Sequence, residues 1–195
     1  MSKKSFLLAA AIASLLVGAG SAQTQTWNID TAHTAAQFSV RHLGISTVRG
    51  AFTKVSGTVQ YDAANPAKTV IDATIDANSI DTRVEMRDKD LRSASYFDVE
   101  KFPSITFKSK KVEAAGAGKL KVTGDLTIHG VTKEAVLDVD GPSAPIKDPW
   151  GNNRVGASAS TKINRQDYGV SGGSPMVGDE IPITIDMELV QPKAK

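Results

Sequence analysis

The chain has 195 residues, no cysteine, and 23 Lys and Arg against 21 Asp and Glu. That composition excludes a disulfide scaffold, a lipid-modified cysteine and a thiolate metal site, and no basic block marks a nucleic-acid partner. A domain of this length holds itself together by core burial.

Met1 to Ala22 reads as a cleaved leader. Lys3 and Lys4 form a basic start, Phe6 to Val17 an apolar run, and Gly20-Ser21-Ala22 a small-residue cleavage site. The apolar run is short for a bilayer span. Export follows, to the periplasm in a bacterium, with secretion beyond the cell left open and no stable membrane insertion after cleavage. Removing 22 of the 195 residues leaves 173 in one domain, residues 23–195, and balances the charge at 21 basic and 21 acidic residues.

Period-two alternation then dominates. Trp27 and Ile29 share one face of a short strand, and Asp30-Thr31 breaks it. Ala36, Phe38, Val40 and His42 alternate with Gln37, Ser39 and Arg41. Val48, Gly50 and Phe52 hold one phase, whereas Val55, Gly57, Val59 and Tyr61 hold the other. The phase change predicts a bulge or corner near Thr53-Lys54. Asp62 to Lys68 is a turn, and Ile71, Ala73 and Ile75 face inward after it.

Thr82 to Lys110 departs from this pattern. Thr82 with Glu85 reads as a capping box, and Glu85–Lys89 and Asp88–Arg92 as i,i+4 ion pairs on a short helix. Val84, Leu91 and Ala94 give that helix a thin apolar stripe, so it lies on a surface as a lid. Tyr96-Phe97 and Phe102-Pro103 end it, and Ile105 and Phe107 open a new strand.

Leu120, Val122, Gly124, Leu126 and Ile128 give the longest alternation, turned by Gly130 and returned by Ala135, Leu137 and Val139. Residues 141–153 read as a loop. Val155 to Ile163 and Ile181 to Leu189 are the last strands, separated by the glycine-rich stretch 164–179. The sum is an all-β, mainly antiparallel fold of about eight strands with one inserted helix, either a closed barrel or a sandwich. Exposed strand edges leave a homodimer open.

An eight-stranded barrel is at the size where the interior is filled or holds one small ligand. Many inward positions are small: Ala36, Gly50, Gly57, Ala73, Gly124, Ala135, Ala157 and Ala159. They either pair with larger residues across the interior or leave apolar room.

Enzyme motifs are weak. Gly169-Val170-Ser171-Gly172-Gly173 matches G-x-S-x-G, but Ser174-Pro175 cannot start the required helix, and no histidine follows it. Asp30, His33 and His42 lack a ligand rhythm for a metal site. His33 reads as a hydrogen-bonding group holding the first turn, and His129 as a turn residue. Gly116 to Lys119 lacks the spacing of a phosphate loop.

Several segments carry a resemblance. They are WNIDTAHTAAQFSVRHLG from Trp27, VRGAF from Val48, DLRSASYFDVEKFPSITFKS from Asp90, VTGDLTIHGVTKEAVLDV from Val122, INRQDYGV from Ile163 and the closing GDEIPITIDMEL. In this order they resemble the YceI-like family of exported, lipocalin-like proteins associated with polyisoprenoid binding. Asp90 stands where that family often has a histidine, and Tyr96-Phe97 where a phenylalanine pair is usual. The resemblance implies an apolar tunnel in an antiparallel barrel, with no catalytic residue and no tightly bound cofactor. The implied ligand is a long-chain isoprenoid, in some cases with a quinone or phosphate head group, such as an isoprenoid quinone, or a fatty-acid-like lipid.

Burying roughly 500 Å² of such a chain at about 25 cal/mol per Å² contributes about 12 kcal/mol before the costs of binding. The expected lining is Phe38, Val40, Phe52, Ile75, Leu91, Phe97, Phe107, Leu126, Ile128 and Ile183. Arg165 and Tyr168 are candidates for a polar head group, with Arg165-Gln166-Asp167 equally readable as a structural turn with an internal ion pair. An enzyme acting on a lipid, or through a metal, at the barrel mouth is the alternative.

Overall fold

A computed structural model describes residues 25–62 and 64–191. The leader and its cleavage site lie outside the described residues. The alternation of the sequence is realised as strands with one wet face and one buried face. In chain order these are β1 (Gln25–Ile29), β2 (Ala35–His42), β3 (Ser46–Phe52), β4 (Val55–Tyr61), β5 (Val70–Asp76) and β6 (Ile80–Asp81), then β7 (Ser104–Ala114), β8 (Lys119–Ile128), β9 (Val131–Asp140), β10 (Ile146–Lys147), β11 (Asn153–Asn164) and β12 (Glu180–Gln191). One α-helix, α1 (Glu85–Arg92), lies between β6 and β7.

The first six segments are halves of three bent staves. β1 and β2 both pair with β12, at Asn28↔Val190 and Phe38↔Ile183. β4 and β3 pair with them in turn, and β5 and β6 pair with β4 and β3. The three breaks lie side by side, at residues 30–34, at 53–54 and at the 3-10 turn Ala77–Ser79. Backbone and side-chain hydrogen bonds join two of them: Thr53 N donates to the Ser79 carbonyl (3.2 Å) and Lys54 N to Ser79 Oγ (3.1 Å). The corner expected near Thr53-Lys54 is therefore one part of a bend shared by neighbouring staves.

With β7, β8, β9, β11 and β12 these staves make eight, each antiparallel to its neighbours. The β11–β12 pairing, from Asn153↔Gln191 to Asn164↔Glu180, closes the ring. The choice between barrel and sandwich falls to the barrel, because closure leaves no second sheet to pack against. β10 lies in the stretch expected to be all loop and adds two residues beside Arg154 and Asn153.

One seam is loose. β9 meets β11 through only three residue pairs, Asp138 to Asp140 against Ser158 to Ser160. Beyond them the 3-10 turn Arg165–Tyr168 occupies the gap, with Tyr168 and Val170 buried. This glycine-rich stretch is thus part of the wall.

The start of the helix differs from expectation. Thr82 does not cap it; α1 begins at Glu85, after Val84, with no side-chain cap. Thr82 instead donates its amide (2.9 Å) and its hydroxyl to the buried Asp88 carboxylate. Arg92 does not pair with Asp88 either, and donates to the carbonyls of Asn78 (3.0 Å) and Ile80 (2.7 Å). Val84 is exposed and Ala94 lies past the helix end, so Leu91 alone carries the inward stripe. The helix is held by polar bonds to β6 and its flanks more than by apolar burial.

Candidate functional site: an apolar cavity through the barrel

Strand registers bring the inward faces of all eight staves around a cavity of about 220 Å³. For scale, an apolar cavity of roughly 150 Å³ stays dry and accepts benzene. Phe38 and Val40 of β2, Phe52 of β3 and Ile75 of β5 line it on one side. Phe107 of β7, Leu126 and Ile128 of β8, and Ile183 of β12 complete the wall. Leu91 of α1 and Phe97 beyond it also face the cavity. Phe52 joins wall to lid: its ring is 5.8 Å from Phe38 and lies edge-on to Phe97 at 5.4 Å and 87°.

Six of the eight small inward residues divide into two kinds; of the others, Gly57 lies close against the Asp72 carbonyl and Ala135 is buried outside the cavity lining. A Cβ at Gly50 would meet the Phe38 ring at 2.6 Å, and one at Gly124 would meet the Phe107 ring at 2.5 Å. These glycines seat aromatic rings and leave no void. Ala36, Ala73, Ala157 and Ala159 line the cavity itself. Both alternatives raised by the sequence are therefore present, at different positions.

Arg165 and Tyr168 reach the cavity from the turn that fills the β9–β11 seam. Arg165 Nε donates to the Gly178 carbonyl (2.9 Å), Nη1 to those of Val170 (2.7 Å) and Gly172 (2.8 Å), and Nη2 to that of Val177 (2.9 Å). Nη2 also pairs with Asp179 at 3.0 Å. A guanidinium has five N–H donors, and here the loop takes them. Arg165 is the pin of residues 170–179, which fits a structural role, but its ion pair is with Asp179 and not within the turn to Asp167, and it is not a free head-group donor. Burial pushes the Tyr168 phenol up, helped by the charge of Asp167.

A charged network lies apart from the cavity. Asp30 follows β1, Glu188 is on β12 and Arg154 on β11. Arg154 Nη1 bridges Asp30 Oδ2 and Glu188 Oε2 (2.8 Å), while its Nε meets Asp148 at 2.9 Å. His33 Nδ1 lies 3.0 Å from Asp30, so it does hold the first turn, from the exposed side. Arg154, then His33, hold the Asp30 carboxyl down to about 2. Asp30, His33 and Glu188 offer donor atoms within 4.8 Å of one another, but the Arg154 cation already sits between the two carboxylates. His42, grouped with them from the sequence, is elsewhere, bridged to Val177.

The G-x-S-x-G stretch has no helix after it; residues 172–176 are turns leading towards β12. His129 packs its ring on Phe102 at 4.5 Å in a turn, as expected. Sequence reasoning missed Trp27, Tyr96 and Leu120 as lining residues. Trp27 was legible, since it shares the inward phase with Ile29.

The YceI-like domain family matches residues 27–189. The chain is 38% identical over 192 residues to protein YceI of Salmonella arizonae, covering 97% of this chain and 100% of that one. Among solved structures it is similar to BcnA of Burkholderia cenocepacia, with 26% identity, a TM-score of 0.71, and 84% of this chain and 99% of that one covered. A polyisoprenoid-binding domain from Saccharophagus degradans shares the fold at 18% identity and a TM-score of 0.63, over 85% and 98% of the two chains. The closed, bent-stave barrel and the match along nearly its whole length lead to one conclusion: the chain belongs to the YceI-like family.

Proposed function

We propose that this protein binds a long-chain isoprenoid, an isoprenoid quinone or a related amphiphilic lipid in its barrel, as a non-enzymatic carrier or store outside the cytoplasm. The observation that carries the proposal is the cavity, lined from all eight staves by side chains that are almost all apolar. Empty apolar volume is destabilising, on the order of 24 cal/mol per Å³, and a hydrocarbon chain that fills it gains burial and dispersion together. The fold neighbour from Saccharophagus is a polyisoprenoid-binding domain, and this chain's own cavity is what makes such a ligand suit it.

No residue of the Asp30–His33–Glu188–Arg154 network lines the cavity, so a lipid-processing enzyme has little to act with there. Export rests on the leader pattern; among the described residues no helix is long and apolar enough to cross a membrane. Organic extraction of the protein purified from its native host, followed by mass spectrometry, tests the proposal. A stoichiometric long-chain amphiphile supports it. Lipid-free protein that turns over a lipid substrate, and loses turnover in His33→Ala, refutes it.

A further inference from the structure

Three exposed apolar side chains meet at one end of the barrel: Ile45 is 80% exposed, Leu43 54% and Met176 54%. Leu43 and Ile45 lie in the turn between β2 and β3, and Met176 lies in the loop that Arg165 pins. The backbone ties the two together. Leu43 N donates to the Met176 carbonyl (2.7 Å), Gly178 N donates to the Arg41 carbonyl (2.8 Å), and His42 bridges to Val177. The chain neighbours Val40 and Val177 line the cavity, and Tyr96 of the lid packs beside Gly172 and Gly173 of the same loop. The patch therefore sits where the lid covers the cavity. Single exposed apolar residues are ordinary, whereas a tied group of them marks a contact surface. Leu43 is also an unusual choice for its place. It and Gly44 are the central residues of a turn closed by Ile45 N donating to the His42 carbonyl (3.1 Å), and both have positive φ, 52° and 70°. Asn or Asp ordinarily fills the first such position, because a bulky side chain is strained there. The chain accepts strain and an exposed leucine at once.

The charge around the patch points to one partner. Residues 41–50 and 170–178 contain Arg41 and Arg49 and no acid. Neither arginine pairs with a carboxylate among the described residues. The lid stretch 83–92 adds four cations against three acids. The first acids after the loop, Asp179 and Glu180, are paired with Arg165 and Lys162. We infer that this end of the barrel is a docking surface for a bilayer that contains anionic phospholipid. Leu43, Ile45 and Met176 enter the head-group region, and Arg41 and Arg49 face the lipid phosphates. Two loop tips are too little for a stable protein partner, which covers about 800 Å² of each face, but they suffice for shallow, reversible insertion. The inference goes beyond lipid binding in the barrel and takes its use from it: with the lid against the bilayer, cargo need not cross water.

Flotation of the exported protein with phosphatidylcholine vesicles, with and without phosphatidylglycerol, tests the surface. Binding to the phosphatidylglycerol vesicles should be at least about tenfold tighter than to phosphatidylcholine alone, and should fall as salt rises. Leu43→Asn with Ile45→Ser should weaken it at least about tenfold, while Tm holds or rises, since asparagine suits the turn. Arg49→Gln should weaken binding to phosphatidylglycerol vesicles about fivefold. Trp150→Ser, at an exposed tryptophan beside Asp148, should change nothing. No flotation with either vesicle, or parental flotation of the double variant or of Arg49→Gln, overturns the docking surface. So does a dimer in light scattering that the double variant dissociates, which makes the patch a contact between copies. Uptake of a fluorescent fatty acid from solution separates the two readings. Uptake without docking leaves lipid binding standing and removes the surface; docking without uptake removes lipid binding and leaves the surface.

Discussion

Filling the cavity on purpose tests the hollow interior most directly. Ala157 lines it from β11, facing Met187 on β12 across the pair and Gly141 on the other side. At ~24 cal/mol per Å³, about 220 Å³ of vacancy costs about 5 kcal/mol in the lipid-free protein. A phenyl ring at residue 157 that fills about half of it returns about 2–3 kcal/mol, which for a domain of this size raises Tm by about 5–10 °C. A full interior would give the opposite sign, because overpacking costs about 1–3 kcal/mol. Thermal melts of lipid-free Ala157→Phe and parent by far-UV circular dichroism read the sign, and uptake of a fluorescent fatty acid reads the occupancy. We expect Tm to rise and uptake to fall together. A lower Tm with parental uptake would refute the reasoning.

The lid and the loop pin give further expectations. Leu91→Asp or Phe97→Asp should weaken uptake of a fluorescent lipid at least tenfold, since a carboxylate there faces the cavity; the urea midpoint should move much less, and parental uptake by either variant would remove the lid role. Arg165→Met strands four loop carbonyls and the Asp179 carboxylate, so urea unfolding should show a loss of about 3 kcal/mol or more. Asp30 has a folded pKa of about 2 against an ordinary 3.8. It therefore stabilises the fold above about pH 4, and that contribution is lost as pH falls from about 4 to about 2. Asp30→Asn should lower the urea midpoint at pH 7 and flatten the acid limb across that window; an unchanged limb would show that Arg154 and His33 do not couple to folding through Asp30.

The barrel was legible because one-face burial writes itself into every second residue. Leu120 to Ile128 and Val155 to Ile163 keep a single phase and became single staves. The phase change between Phe52 and Val55 was equally readable and marks a real corner. The helix start was misread because Thr82 and Glu85 have capping-box spacing, yet a capping threonine must compete with other partners. Here the Asp88 carboxylate, buried against Thr82, takes both of its donors. Charge-assisted bonds to a buried carboxylate outweigh a cap at an exposed helix end. The alternation alone did not show closure, which the family resemblance supplied, because closure depends on β12 pairing with β1, β2 and β11 at once. No local pattern records that.

Hollowness depends on the same long-range register. Inward glycines and inward alanines look alike along the chain, and each removes side-chain volume from the interior. What separates them is whether a neighbouring ring folds over the position, for Ala36 and Ala73 line the cavity even with Phe52 and Phe107 opposite. Gly124 stands beside Ser109 in the β7–β8 ladder, one diagonal from the Phe107 ring that covers it, and Gly50 stands opposite Phe38. Ala157 faces Met187, and Ala159 faces Ile185, both side chains that line the cavity without closing it. Along β11, aliphatic side chains beside alanine leave the centre open, whereas the rings packed over Gly50 and Gly124 make the wall solid there. The vacancy therefore belongs to the pairing between strands, and a substitution changes it only by altering a pair: bulk at Ala157 should close it, whereas bulk at Gly124 should displace Phe107 and break the wall instead.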